Sequence, residues 1–435
     1  MTPQLIGWIA IGALLVLLAL RVPVAIALAT VGFGSYVAIS GWEPGLFILG
    51  AVPYQRVASY VFTVIPLFIL MGHFAHHAGF VNDIFNSTQK WLGGLCGGMV
   101  HATIAGAAAF GAACGSGMAS CAIMGKVAIP EMRKKGVQKK LAMGAVAASG
   151  TIAAMIPPSN SMVIFGIITE RSIGKLLIAG VFPGIVAALI YMMQVYIRVR
   201  LNPSLAPMTR QKITWKEKLI SLKGIWGIAF VAITIMGGIY SGVFTPTEAG
   251  AFGAFSTFLM ALAMRRLKWS ELRTVLLDTT KTTGMVFFIL VGASVFSHLL
   301  AITRIPNQVS ELIIGLEVSR WLILAAIMVM YLILGTLIDG VSQMILTLPI
   351  IFPAIIALGF DPIWFGVLLV HLIEISLISP PFALNIFVLK GVVPDTEVGE
   401  IIRGIAPFLI ADIITLILYI VFPQIALWLP SMMKK

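Results

Sequence analysis

Ile156-Pro157-Pro158-Ser159-Asn160 and its echo Ile378-Ser379-Pro380-Pro381-Phe382 each place a double proline inside a long apolar run. Proline lacks the backbone N–H and its ring clashes with the preceding turn, so both runs must break as helices there. In hydrocarbon the freed carbonyls need partners, and broken helices persist only where they line a protein-enclosed cavity. Pro157 and Pro380 lie 223 positions apart. Other punctuation recurs at that spacing: Pro23 with Pro246, Pro130 with Pro353, and Gly115-Ser116-Gly117 with Ile338-Asp339-Gly340. With slips of a few residues, Leu67–Gly72 matches Phe287–Gly292 and Ala179–Pro183 matches Arg403–Pro407. An ordered series of this kind predicts a duplicated unit. Interrupted hydrophobic segments at matching positions of two halves point to the binding site of a secondary transporter.

Composition sets the class. The chain has 435 residues, 59% hydrophobic and 11% charged, with a mean hydropathy of +1.03. No soluble domain of that length hides so much apolar surface, so the sequence reads as an all-α polytopic membrane protein. The net charge of +12 would suggest nucleic acid in a soluble chain; here Lys and Arg collect in loops on one side of a bilayer. Cys96, Cys114 and Cys121 form no spaced ligand set. Leu5–Leu20 has no basic residue before it and no convincing cleavage site, and reads as a retained membrane helix.

The expected layout is a first inverted repeat over 1–197, a basic linker over 198–223 and a second repeat over 224–428. In the first, Leu5–Leu20 and Pro23–Ile39 are scaffold helices. Pro53–Ala78 is too short for two crossings at roughly 20 residues each, and its Thr63-Val64-Ile65-Pro66 interruption predicts a re-entrant hairpin with its tip near Pro66. Residues 97–168 hold two broken transport helices: Gly97–Met132, broken at Gly115-Ser116-Gly117, and Leu141–Ile168, broken at the double proline; Leu176–Ile197 closes the half. The second half repeats the plan. Scaffold helices cover 224–264, and Thr274–Leu299 is the second hairpin, with its tip near Thr282-Thr283-Gly284. Trp321–Phe352 and Ile363–Lys390 are broken at Asp339-Gly340 and at Ser379-Pro380-Pro381, and Ile405–Leu427 closes the fold. Five crossings and one hairpin per half is an odd count, which forces the halves into opposite orientations.

Charge tests that layout. With Arg133–Lys140 in the cytoplasm, Arg21, the linker, Arg265–Arg273, Arg304, Arg320, Lys390 and Arg403 fall on the same side. Only Arg56, Lys90, Arg171, Lys175, Lys434 and Lys435 fall opposite, so the positive-inside rule is met and both termini are expected to be extracytoplasmic.

Asp339 is the sharpest candidate for chemistry. It sits mid-segment beside Gly340, Ser342 and Gln343, where an ionisable side chain is expensive and reads as functional by default. Hard cations take oxygen ligands, which unwound carbonyls and Ser, Thr or Asp side chains supply; a carboxylate holding the break by hydrogen bonds is the structural alternative. Ser116, Gly117 and Ser120 offer a similar nest in the first half, though small residues at such spacing also serve close helix packing. Ser159 and Asn160 after the first double proline, and Ser379, Pro380 and Asn385 around the second, are candidates for contacting a polar solute, or for capping freed carbonyls. Glu374 precedes the second break and suits an ion contact or an interhelical hydrogen bond. His73, His76 and His77 stand one helical turn apart, a metal-ligand spacing, with no matched Cys or carboxylate nearby in sequence. Gly125-Lys126 lacks the glycine and Ser/Thr of a phosphate loop, so no nucleotide is expected, and no nucleophile–base pair points to an enzyme.

The stretches Ile65-Pro66-Leu67-Phe68, Gly115-Ser116-Gly117, Ile129-Pro130-Glu131-Met132, Ile156-Pro157-Pro158-Ser159 and Phe244-Thr245-Pro246-Thr247-Glu248-Ala249 resemble the large membrane subunit of TRAP (tripartite ATP-independent periplasmic) transporters, in order and over nearly the full chain. The resemblance implies an elevator-type, sodium-coupled importer of an organic acid, such as sialic acid or a C4-dicarboxylate, in the bacterial inner membrane. It implies a periplasmic substrate-binding protein and a small four-helix membrane subunit, expected as a separate chain, as partners. It also implies two sodium sites, one between Thr63–Pro66 and Ser116–Ser120, the other between Thr282, Thr283, Gly284 and Asp339–Gln343. Asn160 departs from the apolar residue the family places there. A stand-alone elevator sodium–carboxylate symporter is the nearest alternative. The permease of an ATP-driven importer is the alternative of another class, but the linker carries no coupling-helix glycine motif.

Overall fold

The computed structural model describes residues 1–207, 213–380 and 383–433. Pro381, Phe382, Lys434, Lys435 and the middle of the linker, 208–212, lie outside the described residues. The described chain is helical throughout, with no strand among those residues. Its elements run α1 (Pro3–Ala19), α2 (Val24–Ser40), α3 (Trp42–Val57), α4 (Val64–His77), α5 (Phe80–Leu92), α6 (Gly98–Cys114), α7 (Gly117–Lys134), α8 (Lys139–Met155), α9 (Asn160–Thr169), α10 (Ile173–Ala179) and α11 (Val181–Leu201). After the linker helix α12 (Trp215–Ser221) follow α13 (Trp226–Ser241), α14 (Pro246–Ala263), α15 (Trp269–Thr303), α16 (Ile305–Ile314), α17 (Arg320–Gly335), α18 (Gly340–Ala357), α19 (Pro362–Ser376), α20 (Leu384–Val392), α21 (Val398–Val421) and α22 (Gln424–Ser431).

Local chemistry sets several of these boundaries. Thr245 and Glu248 form a reciprocal capping box around Pro246 at the start of α14, satisfying two of the donors a helix N-terminus leaves free. In α8 every residue from Leu141 to Met155 is buried, as expected of a helix apolar on all faces. Its small residues let backbones approach: Gly144 abuts the Gly404 carbonyl of α21, and a methyl group there would overlap it.

The hairpins are not where the sequence suggested. Thr274–Leu299 lies within the unbroken 35-residue helix α15, about 50 Å long at 1.5 Å per residue and so long enough to cross a bilayer. The threonines do not open it because their hydroxyls bond back into the helix, Thr280 to the Leu276 carbonyl and Thr282 to the Asp278 carbonyl, each at 2.8 Å. Gly284 alone costs only about 1 kcal/mol of helix propensity. Pro66 is likewise no tip: it occupies the first turn of α4, where the missing N–H has no acceptor to serve. The turn before it falls at Ala58–Ser59, and Tyr60–His77 is long and apolar enough to cross.

The true hairpins are the segments expected to be broken crossings. In α6 and α7, Thr103 Oγ1 meets Met132 Sδ at 3.6 Å, and Gly106 faces the Met124 side chain. The two pairs are centred between Gly115 and Met118, at the turn that joins the helices, so the two arms are antiparallel. In α17 and α18, the Tyr331 hydroxyl meets Thr347 Oγ1 at 2.5 Å, and Gln343 Nε2 donates to the Tyr331 carbonyl. These pairs are centred on Leu337–Asp339. Gly340–Ala357 alone is long and apolar enough to cross, but its pairing makes it one arm of a re-entrant hairpin.

Contacts at the helix ends divide the molecule into two faces. On the linker face, the Gln138 N–H donates to the Leu205 carbonyl at 2.8 Å, Ser87 meets Ser221 at 3.1 Å, Trp91 Nε1 donates to the Lys218 carbonyl, and Asp83 pairs with Arg266. Arg133 pairs with Asp395 at 3.0 Å and Lys139 with Glu400 at 2.9 Å. Both outer ends of the α6–α7 hairpin lie there. Both outer ends of the α17–α18 hairpin lie on the far face, where Arg320 covers Phe360 and Arg171 covers Phe352. The hairpins therefore enter from opposite sides, an inverted-topology arrangement. This corrects three placements: Lys90, beside Trp91, is on the linker face, whereas Arg304 and Arg320, beyond the continuous α15, are on the far one.

Candidate functional site

Each hairpin tip meets the broken helix of its own half. Gly115 has a left-handed φ of 63°, and a methyl group on it would overlap the Pro158 carbonyl, so only glycine fits there. Its carbonyl accepts from the Asn160 N–H at 3.2 Å. Ser116 Oγ caps α7 by accepting from the Ala119 N–H at 3.4 Å, and Ser159 Oγ caps α9 by accepting from Met162 N–H at 3.3 Å. Two helix N-termini, the positive ends of their dipoles, thus converge at the first tip beside the Pro157–Pro158 break. At the second tip Asp339 caps α18. Its Oδ1 accepts from the Val341 and Ser342 N–H groups, each at 3.1 Å, and its Oδ2 accepts from the Ser342 hydroxyl. Gly335 lies against Ser376, and Gly340 against Ile373, both on α19.

The two halves interlock between the tips. Glu374 of α19 is 3% exposed and lies against Gly117 at the first tip. Asn385 of α20 is fully buried, with its Nδ2 3.5 Å from the Ala147 carbonyl of α8. Four buried oxygens in this region lack a hydrogen-bond partner: Ser120 Oγ, Gln343 Oε1, Glu374 Oε2 and Asn385 Oδ1. Buried acceptors are rarely left unpaired, and oxygens in a dry interior are the donor set a hard monovalent cation uses.

A cavity of about 450 Å³ opens beside the first tip, lined by Ser116, Asn160, Cys114, Lys126, His73 and Asp278 among others. Ser116 and Asn160 were expected at a site. Thr282 also lines this cavity, on the first site's side of α15; the pairing of Thr282, Thr283 and Gly284 with Asp339 relied on a hairpin that does not exist. Gly284 faces open space. Thr63 is exposed, its hydroxyl bound to the Tyr60 carbonyl, and α4 presents Gly72, not Thr63–Pro66, to Cys114 at the first tip. Ser379 Oγ bonds the Ile375 carbonyl at 2.8 Å and Pro380 is exposed. No local pattern marks Asp278, because its helix register against α4 is a tertiary fact. An apolar groove of about 500 Å³ between α11 and α21, lined by Leu189, Met193 and Ile410, lies away from both breaks.

The sequence and the fold are both similar to those of known proteins. The family profile described as the DctM component of tripartite ATP-independent periplasmic transporters matches residues 11–425. The C4-dicarboxylate TRAP transporter large permease protein DctM of Pseudomonas aeruginosa is 36% identical over 380 residues, covering 87% of this chain and 88% of that protein. The Escherichia coli 2,3-diketo-L-gulonate large permease YiaN is 32% identical, covering 84% and 86%. The Vibrio cholerae sialic acid large permease SiaM is 30% identical, covering 86% and 87%. Among solved structures, the Alcanivorax borkumensis YdaH transporter shares the fold, with a TM-score of 0.56 at 13% identity over 88% of this chain and 90% of that one. The chain is a multi-pass membrane protein belonging to the DctM family, the large permease component of tripartite ATP-independent periplasmic transporters.

Proposed function

We propose that this chain is the permease through which an organic acid, handed over by a periplasmic substrate-binding protein, enters the cell in symport with sodium. The observation that carries the reading is the pair of hairpins entering from opposite faces, each with its tip against the broken helix of its own half. Such a unit can present one central site alternately to either side by moving as a body. In the elevator reading the hairpins and broken helices move against a frame of α1, α2, α4 and α13–α15. The three relatives are named for C4-dicarboxylate, sialic acid and 2,3-diketo-L-gulonate, all carboxylates, and the convergent N-termini at Ser116 and Asn160 suit a carboxylate.

Sodium is assigned to the two tips: Ser116, Gly117 and Ser120 with Glu374 and Asn385 near the first, and Asp339, Gly340, Ser342 and Gln343 at the second. The unpartnered buried oxygens support this assignment. The basic residues of the linker face support a cytoplasmic position for it in the inner membrane, with both termini in the periplasm. A small four-helix membrane subunit completes the transporter.

The test is uptake of labelled carboxylates by proteoliposomes holding this chain and its small subunit. Accumulation is expected only with an inward sodium gradient and the binding protein. Equal uptake without the binding protein would favour a stand-alone symporter, and uptake in sodium-free, ATP-loaded vesicles would overturn the reading.

A further inference from the structure

We infer that His73, His77 and Asp278 form a binding site for a divalent d-block cation of the zinc class, set in the wall of the cavity that faces the first hairpin tip. His73 and His77 are four residues apart on α4, which places both imidazoles on one helix face. Asp278 comes from α15, which packs against α4. One ligand atom from each of the three lies within 4.8 Å of the other two, and all three side chains are half-buried. Ligand atoms around a tetrahedral ion bound at about 2.0–2.1 Å sit roughly 3.4 Å apart, so rotamer adjustment of about an ångström brings them to bonding distance.

The donor set decides the metal class. Two imidazoles with one carboxylate suit zinc and its d-block neighbours, whereas calcium and magnesium take oxygen-only cages. Three protein ligands leave a coordination position free, as in open zinc sites. His73, His77 and Asp278 all line the cavity, so that position is reached from its interior. Lys126 lines the same cavity, and the Asp278 carboxylate offsets part of its repulsion of a cation. α4 and α15 are the repeat-related helices that carry Leu67–Gly72 and Phe287–Gly292. The residue after Gly72 is His73, while the one after Gly292 is Ala293, so the site is made once and bridges the two halves.

The test uses the full-length, tag-free protein in detergent micelles, titrated with cobalt(II) and followed by its visible absorption, with zinc as competitor. Expected are one cobalt per chain, bands of a four- or five-coordinate nitrogen–oxygen site, and their loss on adding zinc. His73→Ala and Asp278→Asn should each weaken binding roughly tenfold or more, while His76→Ala, one residue from His77 but outside the triad, should leave it unchanged. Melting curves without metal identify any variant that fails to fold, and His77→Gln then serves as the substitute. Absence of stoichiometric binding by the wild-type protein, or equal binding by folded triad variants, overturns the site; neither result bears on sodium coupling.

Discussion

Glu374 on α19 occupies the space that a side chain at Gly117 on α7 would need. A methyl group built on Gly117 overlaps the Glu374 carboxylate and comes within 3.0 Å of the Gly150 carbonyl. This contact joins the first hairpin tip to the second half of the chain, and one of its walls is backbone. Gly117→Ala therefore has to displace the tip; overpacking of this kind costs about 1–3 kcal/mol. Uptake by Gly117→Ala should fall at least about tenfold, on the scale of 1.4 kcal/mol per decade, with membrane insertion and expression retained. Wild-type uptake by that variant would mean that the tip tolerates displacement.

A second buried cluster ties α8, α11, α19 and α21 together. Tyr191 of α11 donates its hydroxyl to Asp412 Oδ1 of α21 at 2.5 Å, Thr151 of α8 meets Tyr191 at 3.1 Å, and His371 Nε2 of α19 stands 3.3 Å from Asp412. Tyr191→Phe removes the donor and leaves a buried carboxyl oxygen short of a partner, a loss of about 1–3 kcal/mol. The melting temperature of the detergent-solubilised protein should drop, and the fall should be smaller in an Asp412→Asn background, where the two changes share one interaction. Strict additivity of the two shifts would show that the hydroxyl and carboxyl are not coupled.

The continuous α15 makes a prediction about sidedness. In a background with Cys96, Cys114 and Cys121 replaced, Arg320→Cys should react with an impermeant maleimide added to intact spheroplasts. Lys90→Cys should react only after permeabilisation. Labelling of both from the same side would contradict the division of the molecule into two faces.

How much of this was legible in the sequence follows from which signals are local. The double prolines and the Gly115-Ser116-Gly117 and Asp339-Gly340 turns were readable because missing donors and φ constraints act within a few residues. Whether a turn is the tip of a hairpin or a kink in a crossing depends on which arms pair. That is decided by contacts such as Thr103 with Met132 and Tyr331 with Thr347, which no local pattern encodes. In both halves the local pattern suggests a hairpin at α4 and α15 and a broken crossing at α6–α7 and α17–α18, the reverse of the structure. Exchanging one crossing for one hairpin in each half keeps the count odd, so the inverted relation holds under either assignment. Lys90, Arg304 and Arg320 lie on different faces under the two.

The Arg133–Asp395 ion pair on the linker face sets a pH dependence. Asp395 is held below the usual carboxylate range chiefly by the hydrogen bond from Arg133. A carboxyl whose pKa is depressed by folding binds fewer protons in the folded state than in the unfolded one. Its contribution is therefore present above the unfolded value, near 4, and is lost as pH falls through the folded value. Asp395 is exposed, so the effect is modest. The melting temperature should decline on acidification, and less steeply in an Asp395→Asn variant. Identical slopes would show that the Arg133–Asp395 pair does not tie the hairpin's outer end to the loop after α20.

Asp339→Asn separates the helix cap seen at the second tip from the ion binding proposed for it. As a cap, the carboxylate accepts two backbone N–H groups through Oδ1, and asparagine ranks beside aspartate at that position, so the helix start should survive at a cost of a few tenths of a kcal/mol. Under the proposed ion-ligand role, the same group would supply a full negative charge in a partly desolvated site, where attraction is far less screened than in water. Loss of one anionic ligand on the scale of a charged hydrogen bond, about 1.5–3 kcal/mol, corresponds to roughly a tenfold or greater rise in the sodium concentration for half-maximal uptake. Asp339→Ala should lose both functions, with a lower melting temperature and a shifted sodium curve. Ser116→Ala, which removes only a dipole at the other tip, should shift the curve less. The measurement is sodium-dependent uptake in proteoliposomes carrying equal amounts of folded protein, with melting curves taken in parallel. If Asp339→Asn melts like the wild type and its sodium curve does not move, the aspartate is a helix cap alone, and the second ion site must be sought among other oxygens such as Gln343 Oε1.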